Sequence, residues 1–106
     1  MPKYLIQGNY TAEGAKGLLE DGGSKRVRAV KAAAKAAGGK VDACYFAFGD
    51  TDVFVIVDMP DHASMTALCL TVAGSGTVGI TTTVLLTPQE VDEATQKSVT
   101  YKPPGQ

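Results

Sequence analysis

The sequence predicts an α+β fold: one four-stranded antiparallel sheet, two long helices packed on one face of it, and a short C-terminal helix. Three observations predict it. Strand-like and helix-like patterns follow one another in the order β-α-β-β-α-β. The two middle strand runs are parted only by the tight segment Gly49-Asp50-Thr51-Asp52, the length of a hairpin connection. Two further segments repeat apolar residues at helical spacing, and both stop at glycines.

Lys3 to Tyr10 is the first strand, with Tyr4, Ile6, Gly8 and Tyr10 on one face and Leu5 on the other. Thr11 caps a short helical turn over Ala12–Glu20, weakened by Gly14 and Gly17. After the turn at Gly22-Gly23, Ser24 caps the clearest helix, Lys25 to Ala37. Its stripe is Val27, Val30, Ala33, Ala34 and Ala37, and Gly38-Gly39 stops it. Lys40 to Phe48 is the second strand. Val53 to Met59 is the third, and its first five residues are all apolar. Pro60-Asp61 opens a helix over His62–Ala73 whose buried stripe is Met65, Leu68, Cys69 and Val72. Thr77 to Thr87 is the fourth strand. Pro88, followed by Glu90, Asp92 and Glu93, starts a last helix that runs to about Val99. The order is that of the ferredoxin-like split βαβ fold. Residues 1–99 read as a single domain and 100–106 as a tail.

A chain of 106 residues fits one domain and can bury a core without staples. Two cysteines 25 apart, outside any CxxC pattern, read as reduced thiols rather than a disulfide framework or a metal site. A net charge of −1 argues against a nucleic-acid partner. No apolar run has the length of a membrane span and the N-terminus has no signal-like stretch, so the expected location is the cytoplasm. The charge is unevenly spread: residues 1–40 sum to +5 and residues 41–106 to −6. Such a split can pair surfaces within the fold or between subunits.

The third strand carries the main inference about assembly. Its unbroken apolar run places greasy side chains on both faces of the sheet, while the two long helices cover one face. The second and fourth strands add to both, with Tyr45 and Val84 assigned to one face and Phe46 and Leu85 to the other. A bare face of that kind exceeds the apolar patch a monomer normally shows. A second copy of the chain is the simplest cover, giving a homo-oligomer, a dimer or higher.

The run from Tyr45-Phe46-Ala47-Phe48-Gly49-Asp50-Thr51-Asp52-Val53 to Met59-Pro60-Asp61 resembles the signature of the GYD domain family. So do Ala67-Leu68 through Gly76-Thr77-Val78, Thr81-Thr82-Thr83, Thr87-Pro88-Gln89-Glu90, Tyr10 through Gly14, and Gly22-Gly23-Ser24. The resemblance spans residues 3–95. Of the naming motif Gly-x-Tyr-Asp, Gly49 and Asp52 match, whereas Thr51 stands at the tyrosine position, so no role that needs the phenol ring carries over. The resemblance implies a dimeric α/β-barrel-like architecture in which the sheets of two subunits pack face to face. It implies no particular activity.

Several residues are candidates for chemistry. Asp50 and Asp52 flank Thr51 in the hairpin and can face one pocket; the alternative is turn chemistry, with carboxylates accepting backbone N–H groups. His62, beside Asp58 and Asp61, can act as an acid or base, yet helix-start histidines are commonly surface residues. Tyr4, Tyr10 and Tyr45 can line a cleft or simply pack. Lys25, Arg26, Arg28, Lys31 and Lys35 give the long helix five cations and no acid, a solvated face that can pair with Glu90, Asp92 and Glu93. Gly74-Ser75-Gly76-Thr77-Val78-Gly79 spells GxGxxG, but it follows a helix and precedes a strand. That order is the reverse of what a dinucleotide pyrophosphate needs, so the glycines end a helix.

Three functional readings follow. The first is a non-enzymatic homo-oligomeric module that binds a small molecule in a cleft near the sheet, with Asp50, Asp52 and Tyr45 as candidate ligand contacts. The second is a cofactor-independent oxygenase or isomerase with Tyr10, Asp52 and His62 as its polar set and Asp52 or His62 as base; it rests on fold analogy. The third is structural assembly through the basic and acidic helices. No cofactor or metal is implied by any of them. A pocket on which Asp52 and His62 converge favours catalysis, an aliphatic pocket favours binding, and a filled core favours assembly.

Overall fold

The computed structural model describes residues 1–106. Its elements are β1 (Lys3–Tyr10), α1 (Ala12–Asp21), α2 (Gly23–Ala36), β2 (Lys40–Phe46), β3 (Val53–Asp58), α3 (His62–Gly74), β4 (Val78–Leu85) and α4 (Pro88–Thr95). The strands lie in the order β2-β3-β1-β4, and every neighbouring pair is antiparallel. This is the α+β, ferredoxin-like arrangement that the sequence predicts.

Most ends shift by one or two residues, and four differences have a local reason. α1 is a full helix of ten residues, not a weak turn. Gly14, which lowers its propensity, is required by packing: a Cβ there would lie 1.9 Å from the Thr77 carbonyl oxygen. The Thr11 N–H donates to that same carbonyl at 3.0 Å and fastens α1 to the start of β4. Ser24 does not cap α2, because only Gly22 separates α1 from α2 and Ser24 already lies in the first turn, which has no side-chain cap. β2 stops at Phe46, which pairs with Val53 at the start of β3; one further bond, from the Ala47 N–H to the Asp52 carbonyl at 2.8 Å, closes the hairpin, and Phe48 beyond it is fully exposed. α4 ends at Thr95, short of Val99; Thr87 and Glu90 close a capping box at its start, but no core follows for a longer helix to pack on.

Register sorts the side chains onto two faces, since paired residues point the same way. Tyr4 pairs with Val57 and Val84, Ile6 with Val55 and Thr82, and Gly8 with Val53 and Ile80. Of these, Tyr4, Ile6, Val53, Val55 and Val57 meet Met59, Met65 and Leu68, with Val30 and Ala33 of α2 and its C-cap Ala37 around them, so this is the helix-covered face. Leu5 pairs with Ile56 and Thr83, Gln7 with Phe54, Lys3 with Asp58 and Leu85, and Tyr45 with Phe54. They form the opposite face. Tyr45 therefore shares a face with Leu85, and Phe46 shares one with Val84, which corrects the grouping read from the sequence. Parity holds within a strand, but the alignment between strands is set by register, here shifted by a bulge between Val41 and Ala43.

No helix of the chain packs on that opposite face. α2 lies over β2, α3 over β4 and α1 against β1, while α4 packs substantially on nothing. Every residue from Pro88 to Gln106 is exposed, among them Val91, Val99 and Tyr101. The molecule measures 57 × 32 × 22 Å with a radius of gyration of 17.0 Å, against about 13 Å for a compact chain of this length. The segment after β4 is an arm projecting from the body.

Candidate functional site

Antiparallel pairing brings the end of β1 beside the starts of β3 and β4, and Asp52 is fixed there. Its carboxylate accepts the Tyr10 backbone N–H at 3.0 Å, and its own N–H donates to the Gly8 carbonyl at 2.9 Å and to Asn9 Oδ1 at 3.2 Å. Asp52 thus staples the hairpin to β1 and holds Tyr10 in place. Asp50 is exposed in the hairpin. Tyr45 lies on the face without helices, 71% exposed.

His62 stands at the other end of β1. Asp61 caps α3 by accepting the Ser64 N–H at 2.7 Å, and that hydrogen bond holds the Asp61 carboxyl below the usual carboxylate range. The next residue, His62, places Nδ1 in hydrogen-bond contact with the Tyr4 hydroxyl, the two rings meeting edge to face. Tyr4 is almost wholly buried, and burial raises its hydroxyl above the ordinary phenol value. His62 therefore gives a buried phenol its polar partner. Tyr4 and Tyr10 are six residues apart on one strand, roughly 20 Å. So Tyr10 and Asp52 are neighbours through a backbone hydrogen bond, and His62 does not join them.

An open pocket of about 460 Å³ lies beside Tyr4 and His62, between α3 and β4. A second, more enclosed one takes in neither Asp52 nor His62. Between α2, α3 and the sheet is a cavity of about 240 Å³ lined by 17 residues, 14 of them hydrophobic. Composition explains it: the inner stripe of α2 is built largely of alanine, so α2 and α3 stand apart over β1 and β3 with little side-chain volume between them. Val30 and Ala33 form one wall, Leu68 and Val72 the other, and Val53 and Val55 the floor. An apolar cavity of about 150 Å³ already holds benzene. Tyr10 also lines it, and its hydroxyl makes no hydrogen bond within the chain.

Arg26 reaches the same cavity. It takes part in none of the ion pairs, and its Nε, shut off from solvent, has no hydrogen-bond partner. A buried donor left unpaired costs about 1–3 kcal/mol, more on a charged group. Nearby, burial pushes the Cys44 thiol up, opposed by the charges of Arg26 and Lys31. Read from the sequence, Arg26 is one of five cations on a solvated helix. The signal that singles it out is its phase: residues 26, 30, 33 and 37 fall on one helical stripe, so Arg26 occupies an inward position. The expected pairing of the α2 cations with Glu90, Asp92 and Glu93 does not occur within the chain; only Lys25 is paired, with Asp21.

Two further features surround these sites. Lys3 donates to Asp42 and to Asp58, and Lys40 approaches Asp58 at 4.0 Å, closing one end of the helix-free face with a charged row. Asp42 is the residue at the bulge, a placement that sequence periodicity does not reveal. At the former GxGxxG segment, Gly74 closes α3 and Gly76 turns at φ +73° before β4, so the glycines terminate a helix. No three His, Cys, Asp or Glu side chains gather as metal ligands, and no helix is long and apolar enough to cross a membrane.

The model of the GYD domain family matches residues 4–95, most of the chain and all of the sheet-and-helix body apart from Lys3. The chain belongs to the GYD domain family. No curated protein and no solved structure matches it. In this GYD domain the naming motif falls in the hairpin of Gly49 to Asp52. Its aspartate, Asp52, makes the staple to β1.

Proposed function

We propose that this GYD domain is a self-associating module that binds a small molecule, with no catalytic step of its own. The observation that carries the reading is the cavity between α2 and α3: it is preformed, predominantly aliphatic, and separate from Asp52 and His62, which do not converge. A pocket that is apolar with a few polar groups is the usual form of a small-molecule site.

Self-association is supported by surface area. A folded monomer of 11.0 kDa exposes about 5,600 Å², so the 7329 Å² of this chain is about 1,700 Å² in excess. That exceeds the roughly 800 Å² per partner of a standard interface and falls in the range of permanent dimers. The helix-free face with Leu5, Phe54, Ile56 and Tyr45, and the arm with Leu86, Val91 and Tyr101, supply it. We assign both to a second copy. The two free, half-buried cysteines suit a reducing compartment such as the cytoplasm.

The test is an amide NMR titration with a neutral aromatic, 4-phenylbutanamide. Shifts concentrated on Val30, Ala33, Leu68 and Val72 are expected. Absence of saturable shifts up to the solubility limit refutes the binding reading.

A further inference from the structure

We infer that the cavity takes a small amphipathic monocarboxylic acid, its apolar body between α2 and α3 and its carboxylate on the Arg26 guanidinium. The inference rests on the ligand-binding reading above and adds the chemical class of the ligand.

Three observations lead to it. The walls are aliphatic, so most of the ligand must be apolar. Room for benzene takes about 150 Å³, so 240 Å³ accommodates a phenyl ring with a short chain, or an alkyl chain of similar bulk. The one charged group at the cavity is Arg26, and its buried Nε lacks any partner within the chain. A guanidinium presents a planar fork of donors that matches a carboxylate and keeps its charge at every physiological pH. A ligand that brings an acceptor there pairs the orphaned donor.

Charge limits the class further. One guanidinium balances one negative charge, and a second charge taken into an aliphatic site is left uncompensated. That disfavours a phosphate monoester and favours a monoanion. The other polar side chains of the lining, Tyr10, Ser75 and Thr77 among them, are neutral. Ser75 and Thr77 are already engaged with one another at 2.8 Å. Tyr10 has its hydroxyl to spare. The remaining cations of α2 lie outside the lining and raise the local concentration of anions without contacting them.

The test compares three molecules of one shape, 4-phenylbutyrate, 4-phenylbutanamide and 4-phenylbutylamine, by calorimetry and amide NMR on the full chain. The wild type is expected to bind the acid at least tenfold more tightly than the amide, and the amine least. Arg26→Met keeps the length of the stem along the helix and is expected to bind acid and amide equally. Arg26→Lys, which retains charge without the fork, restores part of the preference and guards against a folding defect in the methionine variant. Ala33→Leu fills the cavity and removes both ligands. Equal binding of acid and amide by the wild type, or a preference that survives Arg26→Met, overturns the acid assignment while leaving the ligand-binding reading standing. Binding of none of the three overturns both.

Discussion

Val55 and Ile56 are adjacent on β3 and point to opposite faces, so replacing each in turn by aspartate separates folding from association. Val55 is 4% exposed, pairs with Ile6 and Cys44, and sits in the helix-covered core. Removing its side chain forfeits about 1.5–3 kcal/mol of burial. The introduced carboxyl is buried among aliphatics with Arg26 as the one charged group of the lining. Kept protonated at pH 7, a group of pKa near 3.9 costs about 4 kcal/mol. Kept ionised, it must hold the Arg26 guanidinium against it in the core, a buried pair whose desolvation offsets its attraction. The total of roughly 6 kcal/mol is comparable with the whole stability of a domain of this size, about 5–15 kcal/mol. Val55→Asp is therefore expected to be largely unfolded by circular dichroism. Ile56 pairs with Leu5 and Ala43 on the face that no helix covers and is half-buried, so an aspartate there still reaches water within a single subunit. Across a symmetric interface two such charges are buried together, and Ile56→Asp is expected to give a folded chain whose mass by light scattering is that of a monomer. A Val55→Asp protein with native stability, or an Ile56→Asp protein with the native subunit count, refutes the assignment of the two faces.

Other expectations follow from single contacts. Gly14→Ala gains helix propensity but drives a Cβ into the Thr77 carbonyl, so it is expected to lose about 1–3 kcal/mol in urea unfolding; Gly17→Ala, with open space around the new methyl, is expected to gain about 0.5–1 kcal/mol. A loss at Gly17, or a gain at Gly14, contradicts the close approach of Gly14 to the Thr77 carbonyl as the constraint on α1. Lys3 holds the Asp42 carboxyl below the usual range, and Asp42 with Asp58 holds Lys3 above its ordinary 10.5. The Asp42 contribution is thus complete above the ordinary carboxylate pKa and lost as pH falls through the depressed one; the Lys3 contribution is complete below 10.5 and lost as pH rises through the raised one. In urea midpoints measured against pH, Asp42→Asn is expected to flatten the acid flank and to preserve part of the alkaline flank through Asp58. An acid flank identical to that of the wild type removes Asp42 from the account.

Local patterns made most elements legible. The alternation of β1, the stripe of α3 and the glycines after α2 and α3 depend on neighbours within a few residues, and a side-chain period shows directly in the sequence. The misread positions are those where distant contacts overrode propensity. Gly14 weakens a helix in isolation and is indispensable where that helix touches Thr77. Ser24 is a good capping residue that the one-residue junction at Gly22 left inside a turn. The candidate site was less legible. Asp52, Tyr10 and His62 have the chemistry of an active site, and nothing in their spacing shows that one strand holds His62 and Asp52 at opposite ends.

The sequence by itself determined the element order, the two-sided greasiness of β3 and the family to which the chain belongs, because each is written in short-range periodicity or in matched residues. The tertiary structure alone decided which apolar residues share a face, since register and the bulge before Ala43 are set by pairing between strands. It alone opened the cavity, since alanines leave space only once α2 and α3 are held apart over the sheet. And it alone singled out Arg26 among five similar cations, because an unpaired charge acquires meaning only from what surrounds it.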